Sequence, residues 1–177
     1  MRRARGFTLI ELVISIVLLG IIGSVVGVGM TQSVLAFRAS NDVADTLSKL
    51  RLASARLARE IRTVRRNPSD SSSYDFSVRN STQLSFNRLE SDGVTVTPVT
   101  IDASSGSAVT LGYGTDYTLT DQLNSFTFRY YQSDGTTAAS AYPTNNDIAF
   151  VEFELVLVDS NGNPYPQRTR VALRNQQ

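Results

Sequence analysis

The pattern of hydrophobic positions changes twice along the chain. Residues 12–30 read LVISIVLLGIIGSVVGVGM, with Ser15 and Ser24 as the only polar side chains. As a helix, this stretch rises ~28 Å, close to the hydrocarbon thickness of a bilayer. From Val43 the apolar positions take a 3–4 spacing instead. Val43, Leu47, Leu50, Leu57, Ile61 and Val64, with Ser54 in one slot, form one face of a helix. No proline precedes Pro68, and no glycine lies between Gly29 and Gly93. The two stretches therefore predict one helix from Phe7 to about Arg66, ~90 Å long. Asn67-Pro68 and the serine-rich residues 69–73 predict a stop and a loop.

Beyond residue 73 the helical period gives way to alternation. Strands are predicted over 83–89, 94–102, 108–113, 125–132, 148–159 and 168–174, with a weaker one over 117–120. Asp92-Gly93, Asp134-Gly135 and Asn161-Gly162 supply turn signals between them. Phe126, Phe128 and Tyr130 would share one strand face. The expected architecture is α+β: a long helix, apolar and then amphipathic, laid on a mostly antiparallel sheet.

Composition narrows the chemistry. The 177 residues contain no cysteine and no histidine. Disulfides, thiol nucleophiles, histidine-based triads and histidine-ligated zinc are excluded. The net charge of +1 hides an asymmetry, with +7 in residues 1–66 and −6 in residues 67–177. Because the basic half is also the apolar half, the asymmetry points to a membrane.

Arg2, Arg3 and Arg5 precede the apolar run, so positive-inside logic holds that end in the cytoplasm and sends the C-terminus outward. The apolar core is longer than that of a secretory signal peptide, and no small-residue cleavage site follows it, so a retained anchor is expected. Gly23 and Gly27 have the spacing that lets helices approach closely in lipid, though incidental glycines remain an alternative. Glu11 is the one charge between Arg5 and Arg38. A carboxylate at the edge of lipid costs free energy, and no cation lies near it on the apolar side.

Arg5-Gly6-Phe7-Thr8-Leu9-Ile10-Glu11-Leu12 resembles the cleavage and methylation motif of type IV prepilins, the class of pilins and type II secretion pseudopilins. The resemblance implies a leader over residues 1–6, cut by a prepilin peptidase between Gly6 and Phe7, with N-methylation of the new amine on Phe7. It implies that Glu11, with Thr8 beside it, serves subunit assembly, Glu11 meeting the free amine of a neighbouring subunit. Processing would thus create the cation that Glu11 lacks. The resemblance also implies a pilin-like fold, with residues 7–66 as the long helix, membrane-spanning in 7–30, and residues 67–177 as a periplasmic β-rich domain. A proline common within the apolar stretch of major pilins is absent here. Arg56-Leu57-Ala58-Arg59-Glu60-Ile61-Arg62, Phe126-Thr127-Phe128-Arg129-Tyr130-Tyr131 and Val171-Ala172-Leu173-Arg174-Asn175 resemble J-type minor pseudopilins and the O-type minor component of mannose-sensitive haemagglutinin pili.

The implied function is assembly into the tip or initiation complex of a type IV pilus or type II secretion pseudopilus. The implied partners are the prepilin peptidase, other minor and major pilin or pseudopilin subunits, and the inner membrane. The rival is a DNA-binding minor pilin of a competence system. It rests on Lys49, Arg51, Arg56, Arg59, Arg62, Arg65 and Arg66, which face Glu60 as the one acid among them. Those cations also suit a helix C-terminus and a solvent face, or pairing with the acidic half. No aromatic residue is interleaved for base stacking, so nucleic acid is not an expected partner.

Two acidic features read as structure. Asp159-Ser160-Asn161-Gly162-Asn163 has oxygen ligands at alternate positions, as calcium loops do, but its glycine comes fourth and no suitably placed glutamate follows. A hairpin turn is expected there. Glu152 and Glu154 share a strand face without a histidine or lysine beside them, which reads as a solvated face. No catalytic residue, metal or cofactor is expected.

Overall fold

The computed structural model describes residues 8–135 and 148–173. Gly6, Phe7 and Arg174 lie outside them. The chain divides into two units, residues 1–43 and 44–177.

From Leu9 onward the first unit is helix. α1 runs Leu9–Ile61, and no side chain between residues 8 and 41 is buried. Its best window has a mean hydropathy of 2.7, enough by length and composition to cross a membrane. The hydroxyls in the apolar run do not stand alone. Ser15 Oγ donates to the Glu11 carbonyl at 2.7 Å, and Ser24 Oγ donates to that of Ile21 at 2.8 Å. Each polar side chain is thus satisfied by its own helix, as lipid requires.

The second unit holds the core. Among the described residues ten strands follow the helix, and each of their pairings is antiparallel. β1 (Arg66–Asn67) and β2 (Asp70–Tyr74) form a small hairpin. β3 (Phe76–Arg79), β4 (Gln83–Leu89), β5 (Val96–Asp102), β6 (Val109–Gly112) and β7 (Asp116–Thr120) form a five-stranded meander in chain order. β8 (Leu123–Tyr131), β9 (Phe150–Val158) and β10 (Pro164–Ala172) form a three-stranded sheet with β9 in the middle.

From the helix, Leu50, Ala53, Leu57, Ala58 and Ile61 enter a core shared with both larger sheets. Leu57 and Ile61 are fully enclosed, and burial of such side chains stabilises by ~1.5–3 kcal/mol each. Phe126, Phe128 and Tyr130 are all buried on one face of β8, and Phe126 meets Phe128 edge-on at 4.7 Å. The sheets are joined where the Phe128 amide donates to the Ser81 carbonyl at 2.7 Å and Tyr130 Oη donates to the Asn80 carbonyl at 2.8 Å.

The fold is α+β as expected, with boundaries that differ in instructive ways. The helix stops at Ile61, short of the expected Arg66. Val64 keeps its place in the core from a bridge to Arg88 instead of from the helix. The expected loop over 67–73 contains most of the β1–β2 hairpin. The single expected sheet is two larger sheets, because the chain changes sheets between β7 and β8. There Gln122 takes a left-handed backbone (φ 59°). β10 begins at Pro164, earlier than the expected 168, since prolines on the open side of an edge strand cost no ladder bond.

Candidate assembly site

Helix α1 begins with a cap. Thr8 precedes the first helical residue, and its Oγ1 accepts a hydrogen bond from the Glu11 amide at 3.3 Å. The Thr8 carbonyl accepts the Leu12 amide at 3.2 Å, closing the first turn. Thr-x-x-Glu is the sequence pattern of an N-terminal cap, a signal legible in the sequence that the strand-and-helix periodicity does not use. Glu11 therefore has two physical reasons to sit where it does. Its carboxylate lies in the first turn, where the helix dipole favours negative charge, and it marks the edge of the apolar run. Among the described residues Glu11 has no cationic partner within its own chain.

Further along the apolar run, a Cβ added at Gly20, Gly23, Gly27 or Gly29 would meet nothing within 4 Å. Among the described residues nothing packs on these glycines.

The basic end of α1 is mostly engaged by the chain itself. Lys49 Nζ lies 3.1 Å from Asp121 and 3.5 Å from Asp45, and the Asp121 hydrogen bond pushes its pKa up. Arg65 pairs with Asp75 at 2.6 Å, and the Arg66 guanidinium lies over the Tyr74 ring at 4.2 Å. Arg56 and Arg88 each hold one oxygen of Glu60, both at 3.0 Å, with Arg56 also donating to Tyr113 Oη at 2.7 Å. Glu60 is only 3% exposed although it sits in the last turn, where the dipole disfavours a carboxylate. Two guanidinium groups offset that cost. Arg56 stands four residues before Glu60 on the helix, whereas Arg88 comes from β4, remote in sequence. Arg51, Arg59 and Arg62 are exposed and, among the described residues, meet no carboxylate.

The outer face of the three-stranded sheet is an ion-pair layer and not a bare acidic strand. Arg129 lies 2.9 Å from Glu154 and 3.6 Å from Glu152, Arg168 lies 3.1 Å from Glu154, and Arg170 lies 3.1 Å from Glu152. Arg129, then Arg168, holds the Glu154 carboxyl below the usual carboxylate range. Tyr131 Oη adds a hydrogen bond to Glu152 at 3.1 Å.

The Asp159 segment is a hairpin turn with Gly162 at φ 82°. Asp159 Oδ1 accepts the amides of Asn161 and Asn163, both at 2.9 Å. Its Oδ2 accepts Asn163 Nδ2 at 2.8 Å and Tyr165 Oη at 3.1 Å. These bonds, the Asn163 side chain foremost, hold its pKa low. Both oxygens are used in closing the turn.

The comparisons fit this arrangement at one end of the chain. The model of the prokaryotic N-terminal methylation motif matches residues 1–27. No curated protein matches the chain. The match marks a type IV prepilin-like N-terminus, and it falls on a helix with the length and hydropathy of a single-pass membrane anchor. That motif, with a β-rich unit cored on the following part of the same helix, supports a type IV pilin- or pseudopilin-like protein. That N-terminus implies processing by a prepilin peptidase and assembly with other pilins.

Proposed function

We propose that the chain is a minor pilin or pseudopilin, working in the tip or initiation complex of a type IV pilus or type II secretion pseudopilus. The observation that carries this reading is the methylation motif over residues 1–27, placed on an unburied apolar helix whose continuation is the spine of a separately cored β unit. In this reading a peptidase cuts between Gly6 and Phe7, and Phe7 is N-methylated. The arginines of residues 1–6 stay in the cytoplasm, and the β unit lies in the periplasm. Glu11 then receives the Phe7 amine of a neighbouring subunit, with Thr8 fixing the turn that presents it. A minor role is supported by the long β half without cysteine and by the likeness of the Arg56–Arg62 stretch to large minor pseudopilins.

The test is mass spectrometry of the chain extracted from its own membrane, with crosslinking to co-purified subunits. The expected result is a chain beginning at N-methylated Phe7, crosslinked to other subunits that carry the same motif. An intact Met1, or cleavage beyond residue 20, would refute the reading. Recovery as a subunit repeated along the whole filament would favour a major pilin.

A further inference from the structure

Among the described residues the three-stranded sheet ends on β10, and its pairing with β9 fixes which backbone groups face the open side. The ladder runs without a register shift from Pro164↔Val158 to Ala172↔Phe150. It is flanked by the Asp159 amide donating to the Asn163 carbonyl at 3.2 Å and the Leu173 amide donating to the Ala149 carbonyl at 2.9 Å. Hydrogen bonding alternates along an antiparallel pair, so odd-numbered residues of β10 bond to β9 and even-numbered ones face away. Pro164 and Pro166 fall in the outward set, where no N–H is required. Past them, the amides of Arg168, Arg170 and Ala172 point off the edge of the sheet.

The inner side of the same strand borders a groove. Gln167 and Thr169 pair with Leu155 and Phe153, both fully buried, and therefore turn toward the helix. They line a groove of about 240 Å³ with Arg51, Ser54, Ala55 and Ala58 of α1. Ser54 is 6% exposed, and its Oγ has no hydrogen-bond partner among the described residues. A buried hydroxyl left unpaired is uncommon in native proteins and calls for a partner. On the outer side, Arg129, Arg168 and Arg170 share two carboxylates among the described residues, and Arg168 and Arg170 are the most exposed of the three, at 58% and 45%.

We propose that this edge and groove receive an extended segment of a partner pilin-class subunit, added as a fourth strand beside β10. Such a strand lies ~4.8 Å from its neighbour and takes its affinity from main-chain bonds, here to the amides of Arg168, Arg170 and Ala172. Its inward side chains enter the groove, where a small polar one pairs with Ser54 Oγ. Its outward carboxylates meet Arg168 and Arg170. The segment thus alternates small polar with acidic residues. A second copy of this chain is the wrong occupant, since two β10 edges side by side set arginines against arginines. The class of partner rests on the assembly reading above; the site rests on the edge, the groove and the charge.

The test uses the full chain in its own membrane, recovered in mild detergent with the other motif-bearing subunits. Two double variants are compared: Arg168→Ala with Arg170→Ala, and Arg168→Pro with Arg170→Pro. Both lose the same charges, and neither alters an amide that bonds β9. Only the proline pair also loses two outward N–H groups. Recovery of the partner should fall about threefold with alanine and roughly tenfold further with proline. In the wild type, the Arg168, Arg170 and Ala172 amides should exchange about tenfold more slowly in the complex than in the dissociated subunit, a readout that needs no variant to fold. Equal recovery for the two variants, or unchanged exchange at those amides within a recovered complex, overturns strand addition while the assembly reading stands. Failure of the wild type to recover any motif-bearing subunit overturns the assembly reading itself.

Discussion

Glu60 and Arg88 are distant in sequence yet meet at 3.0 Å, Arg88 Nη1 donating to Glu60 Oε2, and this pair ties the last turn of α1 to β4. The helix must end here for the geometry to work. Thr63 Oγ1 and the Thr63 amide both bond the Glu60 carbonyl, at 2.6 and 2.9 Å, turning the chain toward the Val64–Arg88 bridge. The acid that looked outnumbered in the sequence is therefore the anchor between helix and meander.

Replacing Glu60 with glutamine should leave Arg56 and Arg88 without their shared carboxylate. Breaking a buried pair from one side costs ~3–5 kcal/mol, but Arg88 keeps Glu90 at 2.6 Å and Arg56 is 35% exposed. A loss of about 2 kcal/mol is expected, read from the urea midpoint of the full chain in detergent by tyrosine circular dichroism. A change below ~0.5 kcal/mol would show that the pair is not an anchor.

Acid should weaken the β unit through Glu154 and Asp159. Arg129 lowers the pKa of the first, and the Asn163 side chain lowers that of the second. A carboxylate with a folded pKa below its unfolded value stabilises fully above the unfolded value, ~4. That contribution is lost as pH falls through the lowered folded pKa. The urea midpoint should hold steady from about pH 7 to 5 and fall below about pH 4. Asp159→Asn should give a lower midpoint at neutral pH and a shallower fall in acid. A midpoint that rises on acidification would contradict both assignments.

Much of this was legible in the sequence because the signals were periodic. Residues 83–89 are a strand as read, and Phe126, Phe128 and Tyr130 face the core together as their spacing requires. What stayed hidden depends on contacts remote in sequence. Asp70 and the serines at 71–73 carry little β-propensity, and the strand forms because Arg66 and Asn67 lie opposite Tyr74 and Asp70. The change of sheet turns on the backbone of Gln122, which no side-chain pattern announces. At the assembly end, the motif over residues 1–27 was plain, whereas Ser54 read as a core slot on the helix face and instead borders the β10 groove.

DNA binding is expected to be weak. Lys49, Arg56 and Arg65 are paired within the chain, which leaves Arg51, Arg59 and Arg62 as exposed cations without a carboxylate among the described residues. Three phosphate contacts would give a slope of log affinity against log salt of about −3 and little binding at physiological salt. Titration of the full chain in neutral detergent with duplex DNA at two salt concentrations checks this. Tight binding at physiological salt would favour the competence reading.

Glu11→Val separates the two roles open to that residue. The hydrogen bond to Thr8 Oγ1 uses the Glu11 backbone amide, so the substitution keeps the cap. What it removes from the isolated helix is a dipole interaction of ~0.3–1 kcal/mol, less than about a sixfold effect. If Glu11 instead holds the Phe7 amine of a neighbour, the substitution leaves a buried charge unmatched at ~3–5 kcal/mol, more than about a hundredfold in the assembly equilibrium. The two magnitudes do not overlap. Thr8→Val supplies the opposite control, removing the cap at ~1 kcal/mol while leaving the carboxylate in place. The expected outcome is that Glu11→Val is processed and inserted like the wild type but recovers its partner subunits at least about a hundredfold less well at equal membrane levels, while Thr8→Val loses several-fold. Equal recovery by Glu11→Val and the wild type would leave Glu11 as a helix-end residue alone and remove it from the assembly contact.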